Sequence, residues 1–214
     1  MYIKVLSTHC TQTSQKCYIV TQTNKPLKGE ILILNQKSRT IGRSFRIDKQ
    51  WLNILNEEAK NERISPNALV NRILQDYCLF YRHFKRFPCI TLTQKSFSKL
   101  VGGCPKEDLK TWATEAGSAT AQDIFFTLGL GFNNENVRYF IKEIYGNYGN
   151  WFIYNHHNGR NTEVFHLRHT MGINWSLYVS EVISTIFEKG LDKKVKAEFS
   201  ANAVTLEVPL DKQT

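Results

Sequence analysis

The 214-residue chain has no apolar run near the ~18–20 residues that a membrane-spanning helix needs. Its amino terminus shows no basic stretch followed by a long apolar segment, so no secretory signal is expected. The five cysteines (Cys10, Cys17, Cys78, Cys89 and Cys104) are odd in number and form no Cys-x-x-Cys pair. A disulfide framework is therefore not expected, and most of these thiols are expected to be buried or inert. Glycine-rich phosphate loops, a G-x-S-x-G elbow and an H-E-x-x-H helix are also missing, so neither catalysis nor a cofactor has support. A soluble cytoplasmic protein without an enzymatic role is the expectation.

Apolar residues make up 42% and aromatic residues 12%, enough for a packed core. Acidic residues are few beside basic ones, and the formal net charge is +9. The imbalance is one-sided. Residues 1–117 carry 19 Lys and Arg against 9 Asp and Glu, whereas residues 118–214 carry 9 against 10. Such asymmetry suggests that the first half meets a polyanion and the second does not.

Residues 1–38 read as a basic extension, either poorly ordered or with a small hairpin around Asn24-Lys25-Pro26. From Arg39 the pattern sharpens. Ile41, Arg43, Phe45 and Ile47 alternate with Gly42, Ser44 and Arg46, which predicts a short strand. Asp48 suits a helix N-cap, and Trp51, Leu52, Leu55 and Ala59 follow at helical spacing to an end near residues 61–63. Ser65 and Pro66 open a second helix, whose apolar stripe is Leu69, Val70, Ile73, Leu74 and Tyr77.

One strand and two helices cannot bury their own apolar face, and a lone strand leaves unpaired N–H and C=O groups. A twin chain supplies the remedy. Two strands pair as an antiparallel ribbon, and Phe45, Ile47, Trp51, Leu55, Leu69 and Ile73 seal a shared core. Thr40, Gly42, Ser44 and Arg46 then lie on the outer ribbon face, and such a ribbon fits the major groove of B-DNA. Arg46 can reach guanine O6 and N7. Ser65 and Asn67 mark a helix N-terminus suited to phosphate, with Arg43 and Lys49 as further phosphate contacts.

The stretch Arg43-Ser-Phe-Arg-Ile-Asp-Lys-Gln-Trp-Leu, followed by Arg63-Ile-Ser-Pro-Asn-Ala-Leu-Val-Asn-Arg-Ile-Leu, resembles the ribbon-helix-helix family of repressors and antitoxins (Arc/MetJ type). The resemblance covers about forty residues. It implies an obligate dimer or higher even oligomer, base reading from Gly42, Ser44 and Arg46, and phosphate binding at Ser65 and Asn67. Two positions depart from the pattern: Gly42 has no side chain to read with, and Arg43 stands where the family usually has an apolar residue. A small helical hairpin with no DNA role is the plain alternative.

The expected class is α+β: an N-terminal ribbon-helix-helix unit, then helices with a mainly antiparallel four-stranded sheet. Its parts are residues 39–80 as DNA reader, 81–117 as a linker with short helices, and 118–214 as an α+β domain. In the linker, helices are expected over Thr93–Val101 and Pro105–Ala116. Further on, Ala119–Leu128, Asn134–Tyr145 and an amphipathic Trp175–Lys189 read as helices. Trp151–His156 and Glu163–Arg168 read as strands turning at Asn158-Gly159, a pair that tolerates positive φ, and Val195–Phe199 and Val204–Val208 as a second hairpin.

The run His169-Thr-Met-Gly-Ile-Asn-Trp-Ser is a strand-to-helix turn, with Gly172 free to adopt an unusual dihedral and Asn174 expected to cap the helix. Its H-x-x-G-x-x-W-S form resembles C-terminal regions of archaeal two-domain ribbon-helix-helix regulators. His156, His157, His166 and His169 cluster here, but His166 and His169 should face opposite ways, so structural roles outweigh a metal site. The aromatic residues Phe125, Phe126, Phe132, Tyr139, Phe140, Trp151 and Tyr154 read as core rather than as a ligand pocket.

The sequence thus points to a dimeric, sequence-specific regulator of double-stranded DNA, without a membrane role. Its C-terminal part is expected to sense a small-molecule or protein effector, to mediate assembly, or both. An antitoxin-like partner protein and a metal or redox sensor are the alternatives.

Overall fold

The structure, a computed structural model, describes residues 2–3, 41–84 and 90–210. It divides into two compact units, one within Ile31–Pro88 and the other within Cys89–Thr214 together with Tyr2–Ile3. Strand β1 (Tyr2–Ile3) makes a short antiparallel ladder with β2 (Ile90–Thr91).

The first unit contains helices α1 (Lys49–Asn61) and α2 (Pro66–Asp76). Both begin where capping chemistry predicts. The Asp48 carboxylate accepts from the Gln50 amide at 3.0 Å, and Ser65 Oγ accepts from Ala68 at 3.1 Å. The link between them is tight because Arg63 adopts the left-handed conformation, φ 58°. This lets the Ile64 amide donate to the Ala59 carbonyl (2.9 Å) and the Arg63 amide to Lys60 (3.1 Å), closing the last turn of α1. Arg72 of α2 donates to the Glu62 carboxylate at 2.6 Å across the turn, which lowers the pKa of Glu62. The helices bury Ala59 and Leu69 respectively. A wide π-type turn (Tyr77–Tyr81) and the short α3 (Arg82–Phe84) extend α2.

In the second unit come α4 (Gln94–Gly102), α5 (Lys106–Glu115), α6 (Ala121–Leu128) and α7 (Asn134–Tyr139). The sheet strands are β3 (Ile153–Asn158), β4 (Thr162–Arg168), β5 (Lys196–Ser200) and β6 (Ala203–Pro209), with α8 (Ile173–Leu191) between β4 and β5. The sheet is antiparallel throughout, in the order β3-β4-β6-β5. The α+β class and the four-stranded sheet are as the sequence predicts.

Alternation sorts the sheet into two faces. Phe165, Leu167, Val204, Leu206 and Val208 are buried, while Val164, His166, Thr205 and Glu207 on the opposite face remain partly exposed. Helix α8 packs on β5 and β6, and also against α4, α5 and the Ala116–Thr120 turn. It is therefore buried nearly all round rather than amphipathic, with Trp175, Val179, Val182, Ile183, Ile186 and Phe187 all inside.

Three expectations need correction. Helices α4 and α5, read as parts of a linker over 81–117, pack on α8 inside the second unit. Asn174 does not cap α8. Its Nδ2 donates to the carbonyls of Val101, Gly102 and Cys104 at 3.1, 3.3 and 3.2 Å, finishing α4 instead. Gly172, at φ 86°, takes the N-cap position of α8. The β3–β4 hairpin forms, but neither Asn158 nor Gly159 has positive φ. Its tip sits beyond them, closed by the Gly159 amide on the Thr162 carbonyl (2.7 Å). Cys78 is an exposed free thiol, and Cys104 is half-buried and also free. Cys10, Cys17, Cys89 and, Tyr2–Ile3 apart, the expected extension over 1–38 lie outside the described residues.

At Gly117 the α5–α6 segment packs tightly against α8. A Cβ there would stand 2.5 Å from the Val182 carbonyl and 2.7 Å from Thr185 Cβ. Alanine normally stabilises a helical segment relative to glycine by ~1 kcal/mol. Here overpacking outweighs that gain. Gly117→Ala is expected to lower stability by about 1–3 kcal/mol in urea unfolding.

His169, at the β4–α8 corner, is buried. Its Nδ1 accepts from the Met171 amide (3.2 Å), so the proton sits on Nε2, which donates to Ser176 Oγ (2.9 Å). Burial pushes its pKa from the usual 6.5 down to about 4. The unfolded chain therefore binds the extra proton first. The stability tied to neutral His169 is whole above pH 6.5 and is lost as the pH falls towards 4. In His169→Asn the urea midpoint should fall less steeply over this window than in the wild type.

Candidate nucleic-acid interface

Residues 41–48 run without regular secondary structure in the single chain and are exposed throughout. A strand is stabilised by a neighbour, and no other described segment pairs with this one. Phe45 is 70% exposed and Ile41 72%.

The apolar faces of the two helices are also uncovered. Trp51 is 56% exposed, Ile54 55% and Ile73 47%. Of the six residues assigned to a shared core, Phe45, Ile47, Trp51 and Ile73 are exposed and Leu55 is half-buried. Leu69 differs, since it is already buried within the chain. Other large apolar side chains in the same unit (Ile41, Leu52, Ile54, Leu74 and Tyr77) are exposed too. Exposed large apolar side chains are thus concentrated in this unit.

Polar candidates lie alongside. Gly42, Arg43, Ser44, Arg46, Lys49, Ser65 and Asn67 are all exposed, and a Cβ on Gly42 would meet nothing within 4 Å. Thr40 lies outside the described residues. The first turn of α2 leaves backbone N–H groups without helical partners, and Ser65 Oγ covers only the one at Ala68.

The histidines do not converge. His156 lies on the helix side of the sheet, 3.1 Å from Glu163 Oε2, while His157 and His166 stack on the open face, ring centres 5.3 Å apart. His166 also meets Thr205 Oγ1 at 3.1 Å, and His169 is committed to Ser176. Among the described residues, no three His, Cys, Asp or Glu side chains gather as a metal site requires.

Of the aromatic residues, Phe125 and Phe140 are core and Phe126 is exposed. Trp151 stacks on buried Tyr145 (4.0 Å) and accepts the Trp175 indole N–H at its carbonyl (3.1 Å). Tyr139 and Tyr154 instead face a surface groove together with Arg138, whose carboxylate partner Glu163 is buried. No spacing in the sequence announced this pair, because Arg138 and Glu163 belong to different elements. Among the described residues, no helix is long and apolar enough to cross a membrane.

No protein-family profile, no curated protein and no solved structure matches this chain.

Proposed function

We propose that the chain is a dimeric, sequence-specific DNA-binding regulator of ribbon-helix-helix type. The observation that carries this reading is the uncovered apolar surface formed by Phe45, Ile47, Trp51 and Ile73. These are residues that a second copy would cover on pairing its 40–47 segment with this one. The same pairing would satisfy the backbone groups of that segment.

Alternation then turns Ser44 and Arg46 outward, on a ribbon narrow enough for the major groove. The basic excess of the first half favours a polyanion. Arg46 reads a guanine edge, with Ser44 and Thr40 beside it. Arg43, Lys49, Ser65 and Asn67 hold phosphates, which set register without reading sequence. The second unit serves sensing or further assembly. In the antitoxin-like alternative the first unit still dimerises and the second unit binds and silences a toxin, so co-purification of a second, tightly bound protein separates the two.

Phe45→Asp places a charge in the shared core and is expected to yield monomers in sedimentation. A stable dimer of this variant contradicts the ribbon. Arg46→Ala, tested on sequences selected from a random DNA pool, is expected to weaken specific binding by about 1–3 kcal/mol and to relax preference at one position per half-site. An equal loss on all sequences would make Arg46 a phosphate contact.

A further inference from the structure

An open groove of about 550 Å³ runs in the second unit between strand β3 and α7 with the wide turns (Phe140–Tyr148) that continue it. This is within the range of small-molecule sites. One helical face supplies Glu135, Arg138, Tyr139, Lys142 and Glu143, and β3 supplies Tyr154 and His156.

Behind this lining lies a buried ion network. Glu163, 3% exposed, takes Arg138 Nη1 on Oε1 at 2.7 Å and His156 Nε2 on Oε2 at 3.1 Å. Buried ion pairs seldom add stability over an apolar replacement of the same size. This one fixes a guanidinium in place. Arg138 remains about one-third exposed along the groove, and its planar fork has donors besides the one that Glu163 occupies. Lys142, more than half exposed, adds a second cation near the rim.

The half-buried Tyr139 and Tyr154 give apolar ring surface and hydroxyl groups. Burial raises both pKa values, that of Tyr154 to about 12, so both keep their protons as donors. Two carboxylates complete the lining. Glu143 is held by Lys142 (3.0 Å) and Asn147 (2.6 Å), and Glu135 is exposed.

We propose that this groove binds a small organic monocarboxylate with an aromatic or apolar body. The carboxylate meets Arg138 and Lys142, since a guanidinium fork matches its geometry, and the body lies against the Tyr139 and Tyr154 rings. Glu135 and Glu143 repel a doubly charged anion and so select a singly charged one. The inference stands apart from the DNA reading, because no residue of the first unit enters it.

Benzoate and phenylpropionate titrated into the full chain, followed by calorimetry and by saturation-transfer NMR, test it. Both are expected to bind saturably in the millimolar range. Lys142→Ala, at an exposed position, should weaken both roughly tenfold, as expected for loss of one charge-assisted bond. The double variant Arg138→Met/Glu163→Gln removes the buried pair without leaving a lone charge, and should abolish binding while circular dichroism confirms the fold. Inorganic phosphate should not compete. The proposal is overturned if neither carboxylate saturates, if both variants bind as the wild type does, or if phosphate displaces benzoate with equal ease.

Discussion

Two short helices joined by a three- or four-residue turn can cover one another along a single line of contact, and no more. In this chain that line is Ala59 and Leu69. Everything else apolar on α1 and α2, and on the segment before them, stays in contact with water. Fixing a residue in the fold costs about 1–2 kcal/mol of backbone entropy, which buried surface must offset. A unit of this size with so little inside it gains stability when its exposed face is covered.

The second unit solves the same problem internally. Helix α8 lies between the sheet and α5, so a single element supplies apolar contacts to two layers. Its small polar residues Ser176, Ser180 and Thr185 are buried, and Gly117 admits the α5–α6 segment to close range. The aromatic group of Tyr145, Trp151 and Trp175 locks the end of the wide turns to the start of α8. With its interior closed, this unit has freedom on its surface, and the groove beside Arg138 is built there.

Local chemistry was well written in the chain. The caps at Asp48 and Ser65, the α4 start beside Thr93, the glycine at 172 and both hairpins were all readable from a few neighbouring residues. Each depends on hydrogen bonds or dihedrals within one turn. The readings that failed involve distant partners. Asn174 looks like a cap for its own helix, but its amide serves carbonyls about seventy positions earlier. Residues 81–117 look like a connector because their helices are short and follow a basic, aromatic stretch closed by Pro88, whereas α4 and α5 pack on the distant α8.

The sequence by itself determined the α+β class, the order of the helices and strands from α4 to β6, and the concentration of positive charge in the first half. It could do so because periodicity and capping act over a few residues and charge is a simple sum. Only the tertiary structure decided that α8 is a central rather than a surface helix, that His156 and His169 lie apart from the stacked pair His157 and His166, and that Arg138 and His156 meet on a buried Glu163. Those outcomes rest on contacts between segments far apart in the chain, and no local pattern encodes which side chains a folded interior will bring face to face.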